Sequence, residues 1–243
     1  MRKKLIFFSL FLFFIHSYIF SGNCLNDAKK LHDLQNEIIT KAFFNLPPGS
    51  WAQHGNIKAI YLGKMVSPKT GLKLRVIEFQ GRPAGQLWFK LTKKKESYNG
   101  QTYEFWTIAP MEAYLLLGGK LFYISKPLIE LFMQGKSWST IIFEGQILTP
   151  PNCENRVTIK EETEIFPGGK KIKATIIESD KNHGKVYCSP DVPFGMIKSV
   201  DSHGKPDAMA LIDFGFSGGK SKISTDKLKE STLLPVFGGR FGK

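Results

Sequence analysis

Cysteine and histidine are scarce in this chain of 243 residues, with three and five copies. No two of His32, His54, His183 and His203 stand at metal-ligand spacing, and neither Cys153 nor Cys188 has a histidine beside it. Local zinc motifs are therefore excluded, and no metal site is expected. A Gly-x-Ser-x-Gly nucleophile elbow is missing as well. After residue 23 no apolar run approaches the ~20 residues that span a bilayer. Tyr114–Leu117 and Leu128–Met133 are short runs of the kind found in buried strands or helices.

Two motifs imitate chemistry without completing it. Gly218-Gly219-Lys220-Ser221 has the ending of a phosphate-binding loop, but the glycine required five positions before Gly219 is replaced by Phe214. Glu161, Glu162 and Glu164 cluster, yet Lys160, Lys170 and Lys171 flank them, as in a solvated charged hairpin. No coherent set of nucleophile, base and orienting group emerges, so no catalytic residue and no cofactor is expected and the chain reads as a non-enzyme.

The N-terminus carries the clearest pattern. Arg2, Lys3 and Lys4 precede an apolar stretch from Leu5 to Phe20, and Ser21-Gly22-Asn23 lead to Cys24. A basic start, an apolar middle and short residues at the end form a signal peptide over residues 1–23. The junction resembles the looser lipoboxes of spirochaete lipoproteins, in which Asn precedes the lipid-bearing cysteine. That resemblance implies lipidation of Cys24, attachment to a membrane and a place in the cell envelope, at the outer membrane or in the periplasm. Ordinary cleavage without lipid is the alternative.

With Cys24 set aside, Cys153 and Cys188 form an even pair that suits a disulfide in an oxidising compartment. The loop of about 35 residues gives such a bond a value of ~3 kcal/mol. Two buried free thiols are the other reading.

The formal charge of +13 includes the three positive residues of the leader, which leaves +10 on residues 24–243. For an exported chain this excess suits anionic headgroups rather than nucleic acid. The lysines are spread over many segments, as on an ordinary solvated surface.

Residues 27–44 read as a helix, with Leu31, Leu34, Ile38 and Ala42 on one face and Lys29, Lys30, Asp33 and Glu37 opposite. Leu46-Pro47-Pro48-Gly49 ends it. Alternation of period two then predicts strands around Leu72–Val76, Leu87–Leu91, Val157–Lys160 and Ile172–Ile176, separated by turn-forming clusters. Each is expected to bury one face. Pro127 to Gln134 reads as a short helix or plug. The expected fold is mainly β, a curved antiparallel sheet or open half-barrel with one N-terminal helix and that short helix. The expected organisation is a helical segment over 24–48, a β domain over 49–216 and a basic mobile tail over 217–243.

Trp51, Trp88, Trp106 and Trp138 fall on different strands and are the candidates for lining an apolar cavity, with a normal core as the alternative. Trp88 and Phe89 must point to opposite faces, so both faces of that strand need cover. In Ser189-Pro190-Asp191-Val192-Pro193-Phe194-Gly195, the prolines remove ladder donors and mark a strand connection. Phe194 then stands at a cavity mouth or plugs a turn.

This segment, with Leu46-Pro47-Pro48-Gly49-Ser50-Trp51-Ala52 before it and Ala210-Leu211-Ile212-Asp213-Phe214-Gly215 after it, resembles exported proteins similar to the LolA/LolB lipoprotein-carrier superfamily. The resemblance spans Gly49 to Phe216 and is carried by its two ends. It implies an open antiparallel half-barrel whose concave side takes an acyl or other lipid ligand. The function that follows is that of an envelope lipoprotein binding an apolar or amphiphilic molecule; a soluble periplasmic carrier is the alternative, and a secreted hydrolase a remote one.

Overall fold

The computed structural model describes residues 24–82, 84–98, 101–133, 157–166, 169–179, 184–206 and 210–234. Residues 1–23, Trp138, Cys153 and His183 therefore lie outside the described residues.

The helical pattern forms α1 (Cys24–Ile39), which widens into one π turn at Thr40–Phe44. Leu31, Ile38 and Ala42 are buried as the periodicity predicts, and Lys29, Lys30, Asp33 and Glu37 are exposed. The strands follow as a meander of β1 (Trp51–His54), β2 (Ile57–Val66), β3 (Lys73–Gln80), β4 (Ala84–Tyr98), β5 (Gln101–Leu117) and β6 (Lys120–Ser125). The apolar run after Ser125 forms α2 (Lys126–Met133). Next come β7 (Val157–Ile165), β8 (Lys171–Ser179), β9 (Lys185–Cys188), β10 (Met196–Val200), β11 (Leu211–Gly215), α3 (Thr225–Glu230) and β12 (Thr232–Leu233).

The fold is mainly β, as expected, but the strands divide between two sheets. Eight run in the order β11-β1-β2-β3-β4-β5-β6-β12 and four in the order β10-β9-β8-β7. The larger sheet is mixed because β12 joins β6 in parallel, and it does not close into a barrel. β11 returns to β1, pairing Gly215 with Trp51, so the two ends of the β region meet in one ladder. Among the described residues no helix is long and apolar enough to cross a membrane.

Two hydrophobic clusters lie on opposite faces of the large sheet. One joins α1 to Phe89, Ile77 and Ile108 of the large sheet and to Ile172, Ile177 and Ile197 of the small one. The other joins Leu74, Val76, Trp88 and Tyr114 to Ile223 and Leu228. Leu74 to Glu78 are consecutively buried, which corrects the expectation of strands with one wet face. The cover on the second face comes from residues 217–234. These are folded across the sheet through α3 and β12 and not left as a mobile basic tail, because burying the Trp88 face removes more apolar surface from water than a free tail would. Residues 235–243 lie outside the described residues.

Gly195 marks the closest approach of the small sheet's connection to α1. Its φ of 75° belongs to the left-handed region, and a Cβ there would run into Ile38.

Candidate functional site

The site is built where α1 meets the longest strands. β3 pairs with β4 only over Gly85–Phe89, and β6 pairs with β5 only over Glu112–Leu117. Beyond these limits β4 and β5 continue as a two-stranded ribbon, from Lys90↔Ala109 to Tyr98↔Gln101. The edge of β5 in this ribbon would present bare peptide groups, an invitation to unwanted pairing. Side chains of α1 occupy it. Gln35 Nε2 donates to Trp106 O at 3.0 Å, Trp106 N donates to Asn36 Oδ1 at 2.8 Å, and Asn36 Nδ2 reaches Glu104 O at 3.5 Å. An amide side chain suits this task because it offers both donor and acceptor.

Aromatic rings finish the contact. His32, buried in α1, stacks on Phe105 with ring centres 4.6 Å apart and lies 5.1 Å from the Tyr103 ring. Phe44 meets Trp106 at 5.9 Å. These contacts seat α1 and the π turn on the Tyr103–Trp106 stretch of β5.

Between them lies an open groove of about 470 Å³, lined by Lys29, His32, Asp33, Asn36, Tyr103 and Glu104 among others. Its charges are largely matched. Lys29 pairs with Asp33 at 2.9 Å, while Glu104 is held by Lys93 and, at 3.7 Å, by Lys95. The hydrogen bond and charge of Lys93 keep the Glu104 carboxyl below its ordinary range. A groove so open and polar suits a headgroup better than an acyl chain.

The aromatic candidates do not come together. Trp88 is fully buried in the second cluster, its Nε1 donating to Gln86 Oε1 at 3.0 Å and its ring 5.9 Å from Tyr114. Trp106 packs against the first cluster, on the other side of the sheet. Trp51 sits in the β1–β11 ladder, donating to Ser217 O at 3.0 Å beneath the Lys58 ammonium. Phe194 is buried edge-on to Phe43 at 5.8 Å, and its N–H donates to Ala42 O within the π turn. It plugs a turn, in a left-handed conformation (φ 67°) rare for a bulky side chain. Trp138 is outside the described residues.

Of the cysteines, Cys24 is the first residue of α1. Cys188 is a buried free thiol that donates to Thr175 O at 3.5 Å, and burial pushes it up to about 12. Cys153, the other half of the expected disulfide, is outside the described residues. Glu161 pairs with Lys173 and stays exposed on β7, away from any catalytic grouping.

Sequence reasoning missed three buried polar centres. Glu78 accepts from Ser221 Oγ at 2.6 Å, Lys222 N at 2.7 Å, Gln80 Nε2 at 2.8 Å and Gln86 Nε2 at 2.9 Å. Burial pushes its carboxyl up, but these donors outweigh burial and hold it below the ordinary range. Ser221 and Lys222 belong to the glycine-rich loop that imitates a phosphate site; the loop caps a carboxylate instead. Glu112 accepts from Ser67 Oγ at 2.7 Å, from Tyr114 Oη at 3.1 Å and from Thr70 Oγ1. Burial first, and then the Glu112 charge, push the Tyr114 phenol up. Arg75 donates to Phe43 O at 3.1 Å and Tyr61 Oη at 2.7 Å with its guanidinium 4.8 Å above Phe44. The signal for Glu78 was there, a lone acid within Leu74–Phe79.

Among the described residues no group of three or more His, Cys, Asp or Glu could hold a metal ion. No protein-family model, curated protein or solved structure matches the chain.

Proposed function

We propose that this chain is an exported lipoprotein of the cell envelope. In this reading an acylated Cys24 holds it at a membrane, and it works without catalysis as a folded β scaffold. The observation that carries the reading is the position of Cys24. The apolar stretch Leu5–Phe20, with Arg2, Lys3 and Lys4 before it and Ser21-Gly22-Asn23 after it, leads to Cys24, and Leu31, seven positions on, is already buried. At about 1.5 Å per helical residue the acyl group would stand ~10 Å from the core, a short and rigid tether. The ligand class that suits the α1–ribbon groove is the polar headgroup of an amphiphile. A soluble lipid or lipoprotein carrier is disfavoured, because a carrier needs an apolar cavity, whereas Trp88 and Phe89 are each buried in a hydrophobic cluster, one on either face of the sheet.

The test is the intact mass of the mature protein taken from the membrane fraction. A chain beginning at Cys24 with added acyl mass is the expected result. A mature chain that begins elsewhere, or carries no acyl mass, overturns the lipoprotein reading.

A further inference from the structure

A positive charge on β3 is buried without a counter-charge. Arg75 is 8% exposed, and among the described residues no carboxylate pairs with it. Its Nη1 donates to Phe43 O at 3.1 Å and to Tyr61 Oη at 2.7 Å. The other edge of the guanidinium, Nε and Nη2, has no acceptor among the described residues. An enclosed cation without an anion is costly. Fastening the π turn occupies one nitrogen of Arg75 and leaves its bidentate edge unused.

A second cation is turned toward the first. The β2–β3 register slips between Tyr61 and Gly63, so that Gly63 opposes Val76 and Lys64 opposes Arg75. In an unbroken ladder Lys64 would share the Val76 face. The bulge moves it to the Arg75 face, and Gly63 accommodates the bend at a φ of 91°. Residues directly opposite each other have Cβ atoms ~5 Å apart, and like charges so placed repel. Lys64 is exposed and also has no carboxylate partner among the described residues. Phe44, 45% exposed, lies 4.8 Å from the guanidinium, so the two cations stand at the surface.

We infer that Arg75 and Lys64 form a binding site for a phosphomonoester, with the free guanidinium edge taking two of its oxygens and the Lys64 ammonium the third. Such a group carries about −1.5 to −2 charges near neutral pH, which balances both cations. A planar fork beside a mobile point charge suits its three terminal oxygens. The same chemistry is offered by a small soluble phosphate and by the headgroup of phosphatidic acid. The site is separate from the α1–ribbon groove and does not rest on the lipoprotein reading.

The experiment titrates the full mature protein with inorganic phosphate by calorimetry, with chloride holding the ionic strength constant. The expected result is saturable binding and a melting temperature that rises with phosphate. Lys64→Gln should keep the phosphate-free melting temperature and bind about tenfold more weakly. Arg75→Lys keeps the charge without the fork and should lose saturable binding. If that variant does not fold, because Arg75 also holds the π turn, Lys64→Gln decides alone. A wild type without saturable binding, or a Lys64→Gln variant that binds as tightly as wild type, overturns the site and leaves the lipoprotein reading untouched. Vesicles of phosphatidylcholine with phosphatidic acid then separate the two sources. Competition with phosphate beyond that from phosphatidylglycerol vesicles of equal charge supports the lipid headgroup, and equal competition supports a soluble phosphomonoester.

Discussion

The Ser221 hydroxyl donates to the Glu78 carboxylate at 2.6 Å across 143 positions of sequence. This bond fastens the C-terminal strap, residues 217–234, to the middle of the large sheet. Its consequence is a defined acid sensitivity. Glu78 has a lower pKa folded than unfolded, so it stabilises the fold at neutral pH, and that contribution disappears as pH falls from the ordinary carboxylate range through the folded value. Ser221→Ala removes a donor that holds the folded value down, so the acid-dependent loss should be smaller in the variant and complete at a higher pH. At neutral pH the cost should be ~2 kcal/mol, since the bond is to a charged, buried group. Melting temperatures of wild type and variant across pH 3–7 (about that span covers the carboxylate range) check both statements; parallel curves would refute the assignment.

Removing the strap tests its structural role. A chain ending at Phe216 exposes Leu74, Val76 and Trp88 and strips Glu78 of Ser221, Lys222 and Ile223. The expected outcome is a red shift of tryptophan emission, binding of an apolar dye and a broadened unfolding transition. A tail that merely moves in solvent would leave all three unchanged.

Gly195 and Gly204 share the same backbone region, with φ of 75° and 78°, but not the same surroundings. Gly204→Ala meets nothing within 4 Å and should cost only the left-handed penalty, ~1–2 kcal/mol. Gly195→Ala adds overlap with Ile38 and should cost ~2–3 kcal/mol more. Denaturant midpoints of the two variants separate backbone strain from steric conflict. Equal losses would mean that α1 and the Pro193–Gly195 turn are not packed together.

Cys188 should be inert in the native state. Its thiol is pushed up to about 12 by burial, so it stays protonated at pH 8 and out of reach of iodoacetamide. Mass spectrometry after peptide digestion should find it unmodified in folded protein and fully modified after denaturation without a reductant. Denatured protein that needs a reductant before Cys188 reacts would show a disulfide instead.

Much of the architecture was legible because it rests on short-range pattern. The 3.6-residue period over Leu31, Ile38 and Ala42 specified α1, and alternation around Leu74, Leu87 and Ile172 specified strands, since local backbone geometry decides which side chains share a face. The opposite orientations of Trp88 and Phe89 followed from the same rule. The basic start, apolar stretch and short residues before Cys24 were equally plain as a pattern of residues. What covers each face is a matter of long-range contact, and only the tertiary structure decided it. Ser221 and Lys222 are apart from Glu78 by more than half the chain, and nothing local distinguishes a capping loop from a mobile tail. Whether four tryptophans line a cavity or fill two cores depends on which elements arrive on each face. Burial is a property of the assembled chain, and no single segment carries it.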